Sequence, residues 1–196
     1  MAYTLTQTTA STPKRDLLLD TAADLFYRDG YHAVGIDKIL AEAGLAKMTL
    51  YHHFASKDEL IVAVLERRGR AIGAEIAAAI EAAGSSPRRR LLAFFDWHEH
   101  WFDRKDFNGC AFIRAIGEYP DVKSPIHQAV TKQKQAARDR LETMLVAMEV
   151  PDPKAMAIQL HLLLEGAIVS AHTFGDPKII KSVREAAFAL IKSASK

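Results

Sequence analysis

Residues 33–60 read AVGIDKILAEAGLAKMTLYHHFASKDEL, and their order decides the fold. Ile36, Ile39, Leu40 and Ala43 recur at i, i+3, i+4 and i+7, the spacing of a helix with one apolar face. Gly44 follows at once, where a helix stop favours a residue that tolerates positive φ. Leu45 is apolar just past the turn and is placed to pin two helices together. Lys47-Met48-Thr49-Leu50-Tyr51-His52-His53 then predicts a second short helix whose outward positions are cationic, hydroxyl-bearing or aromatic. Two short helices joined by a glycine turn make a helix-turn-helix, with the second helix sized for a DNA major groove.

Working outward, Ser56-Lys57-Asp58-Glu59 has the pattern of a capping box, in which the Ser hydroxyl and the Glu carboxylate each satisfy a free backbone N–H. It opens a long helix through Leu60, Val64, Leu65 and Ile72 to about Ala83, with Gly69 and Gly73 as local weak points. Upstream, Leu18, Ala22, Leu25 and Phe26 form the apolar stripe of a first helix from about Asp16 to Asp29, stopped by Gly30. Gly35 sits at the entry to the second helix, where a free backbone N–H is useful. Downstream, Gly84-Ser85-Ser86-Pro87 is the clearest break, and an aromatic-rich helix from Arg88 to about Phe102 follows it. Lys105-Asp106-Phe107-Asn108-Gly109 carries an Asn-Gly turn signal. Further helices are expected over 110–118, 124–148, 153–173 and 177–193, the last two each opened by an Asp-Pro pair. The chain reads as all-α with about nine helices. Residues 1–15 form a flexible arm, 16–56 the helix-turn-helix domain, and 57–196 a second helical domain whose 57–83 helix connects the two.

Composition narrows the class without naming a function. The chain has 196 residues, 49% hydrophobic and 26% charged, an ordinary globular balance. No apolar run looks long enough to span a bilayer. The N-terminus lacks the apolar stretch of a secretory signal. One cysteine, Cys110, excludes an internal disulfide and fits the cytoplasm. Net charge is only +2, and residues 1–70 balance nine Lys and Arg against nine Asp and Glu. Placement matters more than the sum. Gly44 to Lys57 contains two lysines, two histidines and no acid, while Asp16, Asp20 and Asp24 repeat along one face of the first helix, expected to point away from phosphate. No GxSxG, P-loop, GxGxxG after a strand or HExxH is present, so an enzyme is the remote alternative.

The stretch 16–60 resembles the tetracycline-repressor (TetR) family of bacterial transcription regulators. The resemblance rests on Leu18, Leu19, Ala22, Phe26, Gly30 and Tyr31, then Ile36, Ile39 and Ala43-Gly44. It closes on Lys47, Thr49-Leu50-Tyr51, Phe54 and Ser56-Lys57-Asp58-Glu59-Leu60. It departs from the family at Ala46, often a capping Ser, and at Met48, often Gly. The resemblance implies a ligand-responsive homodimer, commonly a repressor, bound to a palindromic double-stranded operator. It places Gly35, Lys47, Met48, Thr49, Tyr51, His52 and Lys57 at the DNA. Lysine suits phosphate as a compact cation, and threonine can hydrogen-bond a base edge while offering its methyl to thymine. Phe54 and His53 are expected to be structural.

Phe94, Trp97, His98 and Trp101 crowd one helix, and Phe107, Cys110, Phe112 and Arg114 follow; any one of these reads first as packed aromatic core, and together with His161 and Glu165 they are candidates for a cavity taking an unknown small-molecule effector, with His172 as a further polar handle. Two C-terminal apolar bands are wide enough to be core, but at the C-terminus of this family they are expected at a dimer interface. They comprise Leu160, Leu163, Leu164, Ala167, Ile168 and Ala171, then Ile180, Val183, Ala187 and Leu190. No metal, cofactor or membrane partner is expected. His98-Glu99-His100 and Cys110 raise a metal- or redox-responsive alternative, but His98 and His100 fall on different helix faces and a single cysteine has no resolving partner. Arg88-Arg89-Arg90 reads as a solvated helix start.

Overall fold

The computed structural model describes residues 13–194. Among the described residues the chain is helical: α1 (Pro13–Asp29), α2 (Ile36–Ala43), α3 (Lys47–His53), α4 (Lys57–Ala82), α5 (Pro87–Phe102), α6 (Ala111–Glu118), α7 (Pro125–Ala147), α8 (Pro153–Phe174) and α9 (Ile179–Ala194). The expected arm over 1–15 lies outside the described residues up to residue 12, while Pro13, Lys14 and Arg15 are already helical. Proline fits a first helical turn because its missing N–H has no intrahelical acceptor there. The two Asp-Pro starts diverge. Asp152 caps α8 through the Ala155 N–H at 3.0 Å. Asp176 instead accepts from the Lys178 N–H at 2.9 Å, a turn that delays α9 to Ile179.

The chain divides into two compact units between Val64 and Leu65. In the first, α1, α2 and α3 pack on one another around Leu18, Leu19, Ala22, Leu25, Phe26, Ile39, Leu40, Leu50 and Phe54, all buried. Gly44 adopts φ 63°, which a side chain would resist. That conformation lets the Leu45 N–H return to the Leu40 carbonyl at 3.1 Å and turns the chain sharply into α3. The capping box forms with its return bond shifted one residue upstream, to Ala55 rather than Ser56. The Glu59 N–H donates to Ser56 Oγ at 3.1 Å, and the Ala55 N–H donates to Glu59 Oε2 at 2.6 Å.

In the second unit, α7, α8 and α9 pack in sequence, with α5 against all three. Here the expected subunit interface needs correcting. Leu160, Leu164, Ala167, Ile168, Ala171, Ile180, Val183 and Ala187 are buried in the chain's own core, and Leu163 and Leu190 pack against it. The helices are apolar on more than one stripe, and packing within the chain takes the stripe named from sequence. The apolar side chains left outside on α8 are Ile158, Leu162, Val169 and Phe174. A second correction concerns hydropathy. α8 is 22 residues long with mean hydropathy 1.3, enough by length and composition to cross a membrane. It contributes Met156, Ala157, Leu160 and Leu164 to the core.

Gly69 and Gly73 are not merely weak points. A Cβ at Gly69 would collide with the Gln133 side-chain amide, and one at Gly73 would sit 3.2 Å from Arg140 Nη2. These glycines let two polar side chains of α7 pass close over α4. For the capping box, Ser56→Ala should lower unfolding stability by about 1 kcal/mol. Urea denaturation checks this; an unchanged midpoint would show that the bond does not stabilise α4.

Candidate functional site

The outward face of α3 is built from its period. Leu50 is fully buried, so residues one position and one turn away from the opposite side must project. Lys47, Met48, Tyr51 and His52 are exposed, Met48 to 79% and Tyr51 to 44%. They stand at i, i+1, i+4 and i+5, a single helical face. Thr49, expected on that face, is half-buried. Ala46 supplies no side-chain cap, and the Thr49 N–H donates to the Ala46 carbonyl at 2.9 Å. The Lys47 ammonium stands 3.6 Å from Asp37 Oδ1 in an exposed pair, which a competing anion displaces at little cost. Gly35 has φ −81° and open space around it, so its backbone imposes no demand for glycine. Lys57 is half-buried at the start of α4. Phe54 is buried, with the Arg15 guanidinium 5.1 Å from its ring centre. His53 is half-buried beside it, and burial, then neighbouring His52, Arg15 and Lys14, lower its pKa.

The second unit contains a cavity of about 70 Å³ lined by α4, α5, α7 and α8 and by the α6 entry. Phe94, Trp97, His98, Trp101, Cys110, Phe112, His161 and Glu165 line it, as expected from sequence. Phe107 and Arg114 do not. Phe107 packs edge-on to Trp101 at 5.1 Å, and its ring centre is 6.2 Å from that of His172, which is exposed. Trp97 and Trp101, one turn apart on α5, stack at 5.8 Å. The residues missed from sequence are Gln133, Lys134, Ala137, Arg140 and Leu141 of α7, Ile72 and Ile76 of α4, and Leu164 and Ile168 of α8, the last two assigned from sequence to the subunit interface. The spacing of the α7 set is helical, but α7 is polar on several faces and the stripe does not stand out.

The polar groups of the cavity have distinct states. His98 is buried, and its Nδ1 lies 2.8 Å from the Phe94 carbonyl, which can only accept. His98 is therefore the Nδ1–H tautomer, with Nε2 left as an acceptor. Burial lowers its pKa to about 4. His100 likewise faces the Asp96 carbonyl at 2.6 Å, so each ring of the His98-Glu99-His100 run commits a nitrogen to backbone. Lys134 pairs with Glu165 at 2.5 Å, and its Nζ is 3.7 Å from Cys110 Sγ. His161 has its pKa lowered, first by burial, and its buried Nδ1 has no hydrogen-bond partner.

Comparison with known proteins identifies the frame. Residues 18–64 match the family of bacterial regulatory proteins called tetR, and residues 87–187 match the tetracyclin repressor-like C-terminal domain. The chain belongs to the TetR family of bacterial regulatory proteins. The structure of SCO4454, a TetR-family transcriptional regulator from Streptomyces coelicolor, superposes with a TM-score of 0.88 at 31% identity, covering 99% of this chain and 98% of that one. The transcriptional activator FasR of Mycolicibacterium smegmatis is 39% identical over 90 residues, 44% of this chain. The regulator YjdC of Escherichia coli is 39% identical over 80 residues, 41% of this chain. These matches span only 41% and 42% of the two curated relatives' own length. In TetR-family terms the first unit holds the helix-turn-helix and the second is the C-terminal helical domain.

His98 makes stability depend on pH. An unfolded chain protonates this ring near its usual 6.5, whereas the folded chain resists down to about 4. The contribution is complete above 6.5 and is lost as pH falls through that window, by up to about 3 kcal/mol. Urea unfolding of the parent and His98→Gln at pH 7, 5.5 and 4.5 checks it. The parent should lose stability faster than the variant on acidification; parallel profiles would place the ring in water.

Proposed function

We propose that this TetR-family chain is a dimeric transcriptional regulator that reads a two-fold DNA operator through α3 and responds to a small organic effector in the second unit. One observation carries the DNA part: Lys47, Met48, Tyr51 and His52 share an exposed face of a helix whose other side is anchored by Leu50. Lys47 and Lys57 contact phosphate. Tyr51 donates its hydroxyl to phosphate and packs its ring on sugar. Thr49 and His52 reach base edges, and Met48 adds an apolar contact. Gly35 is the N-cap of α2, and its N–H donates to a phosphate oxygen.

One short helix reads few base pairs, so two copies are needed, with half-sites about 34 Å or a multiple apart. The pairing surface is the outer face of α8. Ile158, Leu162 and Val169 lie exposed along one stripe, with Gly166 between them and nothing within 4 Å of its missing Cβ. A second helix can approach closely there. The effector acts by preferring a conformer in which the two reading helices are wrongly spaced, with α4 as the covalent link between the units. Repression is the sign of regulation that the resemblance favours. The ammonium of Lys134 beside Cys110 Sγ supports a second reading, a thiol-based response, which Cys110→Ser would abolish while leaving response to an organic ligand intact.

Selection from a random duplex library should return a palindromic site. On that site Tyr51→Ala should weaken binding at least about tenfold, and Lys47→Met should weaken it while reducing the salt slope by about one. Unaltered affinity in both variants would remove α3 from the DNA. Leu162→Glu should convert a dimer to a monomer by sedimentation at micromolar concentration; a parent that is already monomeric would exclude the pairing.

A further inference from the structure

The cavity holds two cations, and only one has an anion. Lys134 is paired with Glu165. Arg140 is half-buried, and among the described residues it forms no ion pair or hydrogen bond. Burial lowers its pKa with no neighbouring carboxylate opposing the shift. Arg140 is only part-withdrawn from water, and it faces the cavity as a cation not already committed to a carboxylate. The room for it is built in, because Gly73 of α4 lies where any side chain would press on Arg140 Nη2. Arg140 also lines an outer groove whose other charged residues are Glu81 and Arg90, so it stands in the wall shared by that groove and the aromatic cavity. The unpartnered Nδ1 of His161 is a second polar group there that the protein leaves unsatisfied.

We infer that the effector is an organic carboxylate, its anionic end held by Arg140 and its apolar body lying against Trp97, Trp101 and Phe94. This rests on the proposal that the cavity is the effector site and goes beyond it in naming the chemical class. The planar guanidinium matches a carboxylate through two parallel N–H···O bonds, a match an amide or alcohol cannot repeat with charge. An ammonium ligand would meet Arg140 as a like charge. The cavity's 70 Å³ is far below the several hundred typical of an occupied ligand site. The carboxylate therefore favours a conformer with this cavity opened.

The test uses 2-naphthoate, decanoate and indole-3-acetate, each with its primary amide and its corresponding amine, titrated calorimetrically into the full chain. At least one acid should bind, with its amide and amine about tenfold weaker or more. Arg140→Met should erase that preference, lowering affinity for the acid to that of the amide. Gly73→Ala should also weaken the acid, because it crowds the guanidinium while keeping its charge; this second variant guards against a folding defect in the first. Amides or amines binding as well as acids, or an acid indifferent to Arg140→Met, would overturn the carboxylate assignment and leave the cavity as an effector site. Binding by no member of any class would overturn both.

Discussion

A seven-residue helix does not hold itself together in water, and the face proposed to read DNA is carried by one. Leu50, with no exposed surface, ties α3 to the α1 and α2 packing, and Phe54 closes its end from within the core. Everything asked of Lys47, Tyr51 and His52 depends on that anchor. Without it their spacing on one face has no meaning, because the backbone that sets the spacing would be gone. The αL turn at Gly44 and the capping box at Ser56 and Glu59 fix where α3 begins and where the next helix takes over.

The second unit follows a different logic. Its core is aromatic and aliphatic, yet polar side chains of α5, α7 and α8 converge on one small space. Most are satisfied locally: His98 by the carbonyl one turn back, Lys134 by Glu165. His161 Nδ1 has no partner, and Arg140 has no carboxylate beside it. Two glycines in α4 make space for Gln133 and Arg140, at a cost in helix propensity that an alanine at either position would avoid. The fold gathers these polar groups around an aromatic cavity, a pattern expected of a ligand site.

The helix-turn-helix was legible from Ile36, Gly44 and Leu50 because period and turn chemistry agree over a short span. The capping box was legible for the same reason, since its two bonds link residues three and four apart. The C-terminal bands were not. α8 is apolar around most of its circumference, so Leu160 and Leu162 look alike in sequence while one is buried and the other is 65% exposed. Phe107 and Arg114 were close in sequence to the cavity residues but fall outside its lining, and Gln133 and Arg140 were distant in sequence but belong to it.

The amino-acid order alone determined what is local: most helix starts and stops, the helix-turn-helix with Leu50 inward and Lys47, Tyr51 and His52 outward, and membership of an all-α family. Those features are set by interactions within a turn or two of chain, where spacing is geometry. Only tertiary packing decided which apolar stripe of α8 remains outside, and that Arg140 ends without a partner. Both depend on what a distant helix presents at the point of contact, and periodicity within one helix carries no information about its neighbour.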